Sequence, residues 1–297
     1  WNREINTTDP KFYKWTQWIF KKLFDHGFAY ESYEPINWCP TCKTGLSNED
    51  LEGDACERCS TVVEKKPMRQ WMLEITKYAD RMLDDLEKLP DWDHNIKVMQ
   101  KNWIGKKTGI NITYPIVDSG DTVTCFTTRP DTNFGATFVV IGPEHELVSK
   151  IVTDDQKKAV NDYVDAALKK TEMDRVADGR KKTGVFTGRY CVNQLNGYKM
   201  PIWVADYVLG DVGTGAVVGV PGHDVRDFEF AVKFGIEVIR VVKSSDADSS
   251  EITKLEQVQE EQGVMVNSEF LNGLDIHKAT EKMMDHLEEK GWGKRAV

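Results

Sequence analysis

No apolar run in these 297 residues approaches the ~18 needed to cross a bilayer as a helix, and no charged-then-apolar leader opens the chain. A membrane protein is not expected. Positive charge is also in deficit: 39 Lys and Arg against 48 Asp and Glu leave a net charge of -9. That balance argues against sequence-independent binding along duplex nucleic acid, where many phosphates must be neutralised. It does not exclude a local cleft that takes in one single-stranded end. There is no internal repeat, no low-complexity tract, no Gly-x-Ser-x-Gly elbow and no evident serine–histidine–carboxylate pattern. What remains is an ordinary soluble composition, 40% hydrophobic and 29% charged, enough for one large domain or two modest ones. The chain begins with Trp1 rather than Met, which suits a fragment.

Cysteine is scarce and unevenly placed. Cys39 and Cys42 form one close pair and Cys56 and Cys59 another, whereas Cys125 and Cys191 stand alone in strand-like runs. Two Cys-x-x-Cys pairs joined by a glycine-bearing loop match a four-thiolate zinc site in a reducing compartment, not a secreted disulfide framework. Four ligands leave no open position, so such a metal is structural. A degenerate site that folds without metal and a redox pair are the alternatives, and the redox reading explains one pair but not two.

Periodicity predicts a helix over 9–26, with Asp9 as cap, Pro10 in the first turn, Phe12, Trp15, Ile19 and Leu23 on one stripe, and Gly27 at the end. A second helix is expected after Pro67, from the apolar series Met68, Trp71, Met72, Ile75, Ala79, Met82, Leu83 and Leu86. From about residue 105 the texture changes to short Val/Ile/Thr-rich runs at 110–117, 121–127, 137–142, 199–204, 216–220 and 236–242. These suggest a barrel or sandwich. Helices are expected to open at Thr153, with Gln156 as a capping-box partner, after Gly222, and over 276–290. The expected fold is α+β: a helical segment over 1–104 carrying a zinc ribbon at about 34–66, then a mainly β, barrel-like domain with peripheral helices over 105–297.

Two stretches stand out chemically. Thr127-Thr128-Arg129-Pro130-Asp131-Thr132 ends a strand and packs hydroxyls and a carboxylate around a proline turn. Alone it reads equally as a turn that satisfies its own backbone. Gly213 to Ala231 runs a strand through Val218, Val220, Pro221 and Gly222 into His223-Asp224-Val225-Arg226-Asp227. There Asp224 is a candidate helix cap and Asp227 a candidate capping-box partner. His223 receives no catalytic role.

Taken together, the two stretches resemble the editing domain that class I aminoacyl-tRNA synthetases for branched aliphatic amino acids insert in their catalytic fold. Isoleucyl members typically have a threonine–proline–tryptophan version of the first stretch. Valyl members have glutamate at the place of Asp131 and an asparagine–aspartate pair at the place of Arg226-Asp227. This chain is similar to the leucyl members, also in Thr7-Thr8-Asp9-Pro10, Trp15-Thr16-Gln17-Trp18, Asn37-Trp38-Cys39-Pro40, Asn102-Trp103-Ile104-Gly105 and Lys182 to Gly188. The resemblance covers essentially the whole chain. Val212 departs from it, since many relatives carry an aromatic residue there.

The resemblance implies an aminoacyl-tRNA ester hydrolase that clears isoleucyl, norvalyl and similar esters from tRNA-Leu. In that reading Asp227 binds the substrate ammonium group, Thr127 and Thr128 position the ester and the water, and Arg129 lies near the reacting end. Thr132 shapes the pocket against leucine and Val218 and Val220 form apolar wall. Asp224 and Arg226 stand beside Asp227, Asp224 chiefly at the helix start. One structural zinc is expected on the four paired cysteines, and editing needs no cofactor. ATP belongs to the full-length enzyme, because the His-Ile-Gly-His and Lys-Met-Ser-Lys-Ser signatures are missing here. Expected partners are the 3′ end of tRNA-Leu and the rest of the synthetase in cis, in a monomeric cytoplasmic enzyme. The alternatives are a ribbon that only grips tRNA or a protein, and a metal hydrolase built on His223, Asp224 and Asp227.

Overall fold

The structure is a computed structural model and describes residues 4–168, 170, 174–175, 181–210, 213–244, 251–258 and 262–297. Val212 lies outside them. The chain divides into two compact units, Trp1–Lys106 and Lys107–Val297.

The first unit opens with helix α1 (Pro10–Asp25), capped by Asp9, whose carboxylate accepts from Lys11 N at 2.8 Å. Gly27 then turns the chain at φ 72°. Strand β1 (Ala29–Cys39) follows and pairs antiparallel with both β2 (Thr44–Leu46) and β5 (Glu64–Leu73), while β3 (Leu51–Glu52) and β4 (Ala55–Cys56) form a separate small ladder. The helix expected after Pro67 is therefore only partly present. Met68 to Leu73 belong to β5, in register from Ala29↔Leu73 to Trp38↔Glu64, and a helix forms only at α2 (Ala79–Leu86). The reason is tertiary. Met68, Gln70 and Met72 turn inward at every second residue with Trp71 on the other face, and the ladder to β1 overrides the helical spacing of the apolar series. Helix α3 (His94–Ile104), capped by Asp93 and stopped by Gly105 in the left-handed region, was not foreseen.

The second unit is a mixed α/β assembly. One sheet orders β11 (Ala216–Gly219), β8 (Phe138–Ile141), β10 (Lys199–Val204) and β9 (Val185–Val192); another orders β14 (Gly293–Ala296), β6 (Gly109–Pro115) and β7 (Thr122–Thr127); β12 (Val242–Lys243) pairs with β13 (Val264–Met265). Among the described residues no sheet closes on itself, which corrects the barrel-like expectation. Neighbours β8 and β10 run parallel, so a long crossover through α4 (Leu147–Ile151) and α5 (Lys157–Ala167) must join them, which a chain of hairpins does not need. A bridge at Ile116↔Cys191 touches the first two sheets together without closing them. Two further expectations give way. Of the 236–242 run only Val242 pairs, in the two-residue strand Val242–Lys243. Helix α5 has Gln156 as its cap residue, while Thr153 is drawn to Thr187 O instead of forming a capping box.

Two features position the end of this unit that carries the two chemically distinctive stretches. Gly219 lies over the Phe138 ring so closely that a Cβ would fall 2.2 Å from it, and Phe138 in turn stacks on Phe230 at 5.1 Å. Phe230 belongs to helix α6 (Val225–Phe234), so this stack holds α6 on the sheet and fixes where its N-terminus points. Helix α7 (Ile276–Glu289) buries Ile276, Ala279, Met283 and Leu287 in the main core and packs against β14, β13 and the Pro130–Gly135 turn.

Candidate functional sites

Cys39 ends β1 and Cys56 ends β4, and each is followed by a tight turn to its partner. Lys43 N bonds Cys39 O and Ser60 N bonds Cys56 O, both at 2.8 Å, with Lys43 and Ser60 at φ 52° and 55°. The two knuckles are thus built alike and face one another. All four sulfurs lie within 4.8 Å of each other, and Cys42 N donates to Cys39 Sγ at 3.3 Å. Tetrahedral Zn–S bonds of ~2.3 Å place sulfurs about 3.8 Å apart, so the donor set and its spacing fit one metal ion. No two of these thiols are joined as a disulfide.

The threonine-rich turn is built from the end of β7 into a 3-10 turn, Pro130–Gly135, every residue of which is buried. Thr127 Oγ1 accepts from Arg129 N at 3.0 Å, and Thr132 Oγ1 donates to Arg129 O at 2.9 Å. Two hydroxyls therefore pin the backbone of Arg129 from both sides. Its guanidinium forks onto Asp131, Nε to Oδ1 at 3.0 Å and NH2 to Oδ2 at 2.8 Å. Thr128 is left exposed at the rim. Below, Tyr114 OH donates to Asn133 Oδ1 at 2.6 Å and Asn193 donates to Asn133 O at 2.7 Å, so buried polar groups from β6 and the end of β9 hold the turn rigid.

β7 packs against β11, and that contact brings the threonine turn toward the second stretch. Val220 is buried in the main core and Val218 packs against it. Asp224 caps α6, its Oδ1 accepting from Arg226 N at 2.8 Å and Asp227 N at 3.1 Å. Arg226 reaches back to Asp224 Oδ2 at 3.4 Å and is mostly exposed. Asp227 does not reach back to the cap. Its Oδ2 accepts from Val220 N at 2.8 Å, across the Pro221-Gly222 turn, tying the helix start to the strand end. Burial first, and the Asp224 carboxylate second, push the Asp227 pKa up to about 7, against the opposing pull of the Val220 N–H, Arg226 and Lys182. His223 is buried, with Nε2 accepting from Val241 N at 2.9 Å and Val242 N at 3.2 Å. A nitrogen receiving two N–H groups carries no proton, so His223 anchors the loop as a neutral ring and is no metal ligand at that atom.

Sequence reasoning missed three neighbours. Lys182 lies over the Tyr207 ring at 5.3 Å, and both feel the Asp227 charge. Thr280 of α7 reaches Asp131 at 3.1 Å. Lys182 stood within a quoted stretch but carried no chemical signal of its own, and no local pattern links Thr280 to a residue so far back in the chain.

The hydroxyl-and-carboxylate turn follows β7 and the acidic helix start follows β11, and these two strands pack together. Residues 1–178 match the family model of tRNA synthetases of class I (I, L, M and V). Residues 101–288 match the model of the leucyl-tRNA synthetase editing domain, and the chain belongs to that family. A leucine–tRNA ligase of Elusimicrobium minutum is 51% identical over 293 residues, which cover 99% of this chain and 34% of that protein. Among solved structures, the agnB2 LeuRS of Agrobacterium radiobacter, crystallised as a ternary complex with tRNA and LeuAMS, is similar with a TM-score of 0.70 and 34% identity. That match covers 98% of this chain and 32% of the other. The chain thus spans about a third of the length of these relatives.

Proposed function

We propose that this chain is the part of a leucine–tRNA ligase that hydrolyses wrongly made aminoacyl esters of tRNA-Leu, isoleucyl and norvalyl among them. The observation that carries the reading is the joint placement of the pinned Thr127–Thr132 turn and the Asp227 carboxylate on elements that pack together. One methylene in an apolar pocket discriminates by only about 1–3 kcal/mol, so a leucine-selecting enzyme needs a second site for smaller or like-sized competitors.

The reaction is attack of water on an ester of the terminal adenosine, a linkage already reactive enough that orientation supplies most of the catalysis. Asp227 binds the α-ammonium group of the amino acid by a charge-assisted bond and so admits a charged ester over an uncharged tRNA end. Thr127 and Thr128 orient the ester and the water, and Arg129 offers positive charge at the reacting end. Val218 and Val220 form apolar wall, Thr132 limits its depth, and Asp224 with Arg226 supports the helix start. Editing draws on no metal. A zinc ion on Cys39, Cys42, Cys56 and Cys59 is structural and adds stability to the first unit. ATP and the rest of the synthetase serve aminoacylation in the parent enzyme, a monomeric cytoplasmic protein, and the 3′ end of tRNA-Leu is the partner of this pocket. In domain terms, residues 1–104 carry the ribbon and 105–297 the editing chemistry.

The test is deacylation of isoleucyl-, norvalyl- and leucyl-tRNA-Leu by this chain, alongside pyrophosphate exchange. The first two esters should be cleared, the third spared, and exchange should stay at background. Indifference to all three esters would sink the reading.

A further inference from the structure

We infer that Thr280 of α7 is a positioning residue for the hydrolytic turn, holding the Asp131 carboxylate in the orientation that clamps Arg129. This rests on the hydrolytic reading above and names a residue that reading does not use. Asp131 is fully buried, so each of its lone pairs needs a partner inside the protein. Arg129 supplies a fork to both oxygens, and Thr280 Oγ1 adds a third contact, to Oδ1 at 3.1 Å.

The same hydroxyl lies 2.8 Å from Ile276 O, one turn back in its own helix, and it has one proton for two acceptors. A buried carboxylate outcompetes a neutral carbonyl that already has a place in a helix, so the proton goes to Asp131. The hydroxyl is also well placed to be a fixed point. Ile276, Ala279 and Met283 anchor α7 in the core on either side of it, and a threonine side chain has few rotamers. On the other side of the carboxylate, Arg129 is held at its backbone by Thr127 and Thr132. The fork onto Asp131 directs its side chain. A helix 149 residues along the chain thereby fixes where the guanidinium points.

The experiment compares the chain with Thr280→Val, which keeps the shape and loses the proton, and Thr280→Ser, which keeps the proton. Three readouts are taken: solvent exchange of the Arg129 Nε–H proton by NMR, kcat and KM for isoleucyl-tRNA-Leu, and Tm. Thr280→Val should exchange the Arg129 proton about tenfold faster and lower kcat by about tenfold with KM within about twofold, as a misaimed reacting group does. Thr280→Ser should restore both. Unchanged Arg129 exchange in Thr280→Val overturns the inference whatever the activity does. So does faster exchange with kcat intact, a kcat loss that Ser fails to restore, or a Tm drop large enough to account for the loss by unfolding. If the unaltered chain clears no ester, the hydrolytic reading fails separately, and the Arg129 proton still decides whether Thr280 holds the clamp.

Discussion

The two units solve the problem of staying folded in different ways. Among the described residues, the buried apolar side chains of the first unit are Ala29, Cys39, Cys56 and Leu86, and two of those are metal-site cysteines. Helix α1 buries none of its residues, and Trp15, Trp18 and Ile19 are each more than half exposed. The second unit instead encloses a continuous core that runs from Ile110 to Leu287 and takes in strands from each of its sheets. A small unit with so little core depends on a staple, and a four-thiolate metal is one. The Thr127–Thr132 turn and the Asp227 helix start both lie in the second unit. There Pro130–Gly135 is wholly buried and α6 is fixed by stacked rings, so the elements that carry both stretches are held in place.

Removing the metal should break the contrast most sharply. Structural zinc in small domains contributes about 10–16 kcal/mol of apparent binding energy that is also folding energy. Chelation should therefore abolish hydrogen-exchange protection around residues 34–66 while β6 to β11 keep theirs and ester hydrolysis persists. Elemental analysis should find about one zinc per chain in protein purified without chelator. Loss of protection in both units together would show that the second does not stand on its own core.

Asp227 comes next. Asp227→Ala should lower kcat/KM for isoleucyl-tRNA-Leu by on the order of a hundredfold or more, with the fold retained. Its titration gives a second signature. With the folded pKa raised to about 7 from an ordinary carboxylate value, the folded state binds the proton more tightly than the unfolded one. Stability from this group is thus fully present at acid pH below the unfolded value and is lost as pH climbs toward 7. Activity runs the other way, because only the carboxylate binds ammonium. Hydrolysis corrected for spontaneous loss should rise through about pH 7, and Asp227→Asn should lack that limb while its Tm falls less between pH 4 and 7. A rising limb that persists in Asp227→Asn assigns the titration to another group.

Thr132 sharpens the comparison at the level of a single methyl group. Leucine and isoleucine are equally apolar and equal in size, so transfer energy cannot separate them. A fixed obstacle at the depth of the γ-branch can, at roughly 1–3 kcal/mol for overpacking. Thr132 is buried and its hydroxyl is held by Arg129 O, so it cannot swing aside. Thr132→Ala should keep isoleucyl-tRNA hydrolysis and gain leucyl-tRNA hydrolysis by about 10- to 100-fold. Thr132→Phe should close the pocket to both. An alanine variant that still spares leucyl-tRNA places the obstacle elsewhere.

How much of this was legible beforehand follows the range over which each signal acts. The cysteine quartet was readable because knuckle spacing is local. So were α1 and α6, whose caps Asp9 and Asp224 sit beside the stretches they start. The strand Glu64–Leu73 was not, since its apolar series fits a helix as well and only the ladder to Ala29–Cys39 settles it. The open sheets were not, because a set of short strands carries no record of their order or of the parallel pairing of β8 with β10. Within the site, residue types were visible but partners were not. Asp227 was a candidate capping-box partner, and it instead bonds Val220 N, seven residues back across a proline turn. The hand-off from Arg129 through Asp131 to Thr280 depends wholly on how α7 packs.

The smallest effect separates two carboxylates three residues apart. Asp224 and Asp227 share a helix start, yet the first accepts two backbone N–H groups of its own helix and the second accepts one from the strand before it. Losing a cap of the Asp224 kind costs about 0.5–2 kcal/mol. Asp224→Ala also removes a negative neighbour that helps to raise the Asp227 pKa. The variant should therefore lose a little Tm, keep most of its hydrolysis at pH 8, and shift the rising limb of its pH profile to lower pH. Asp224→Asn should recover most of the lost Tm, since an amide oxygen caps as well as a carboxylate, but should keep the shifted limb because it restores no charge. The pair splits the two roles of one residue. If Asp224→Asn is instead as inactive as Asp227→Ala, Asp224 touches substrate itself and the division of labour drawn between the two carboxylates is wrong.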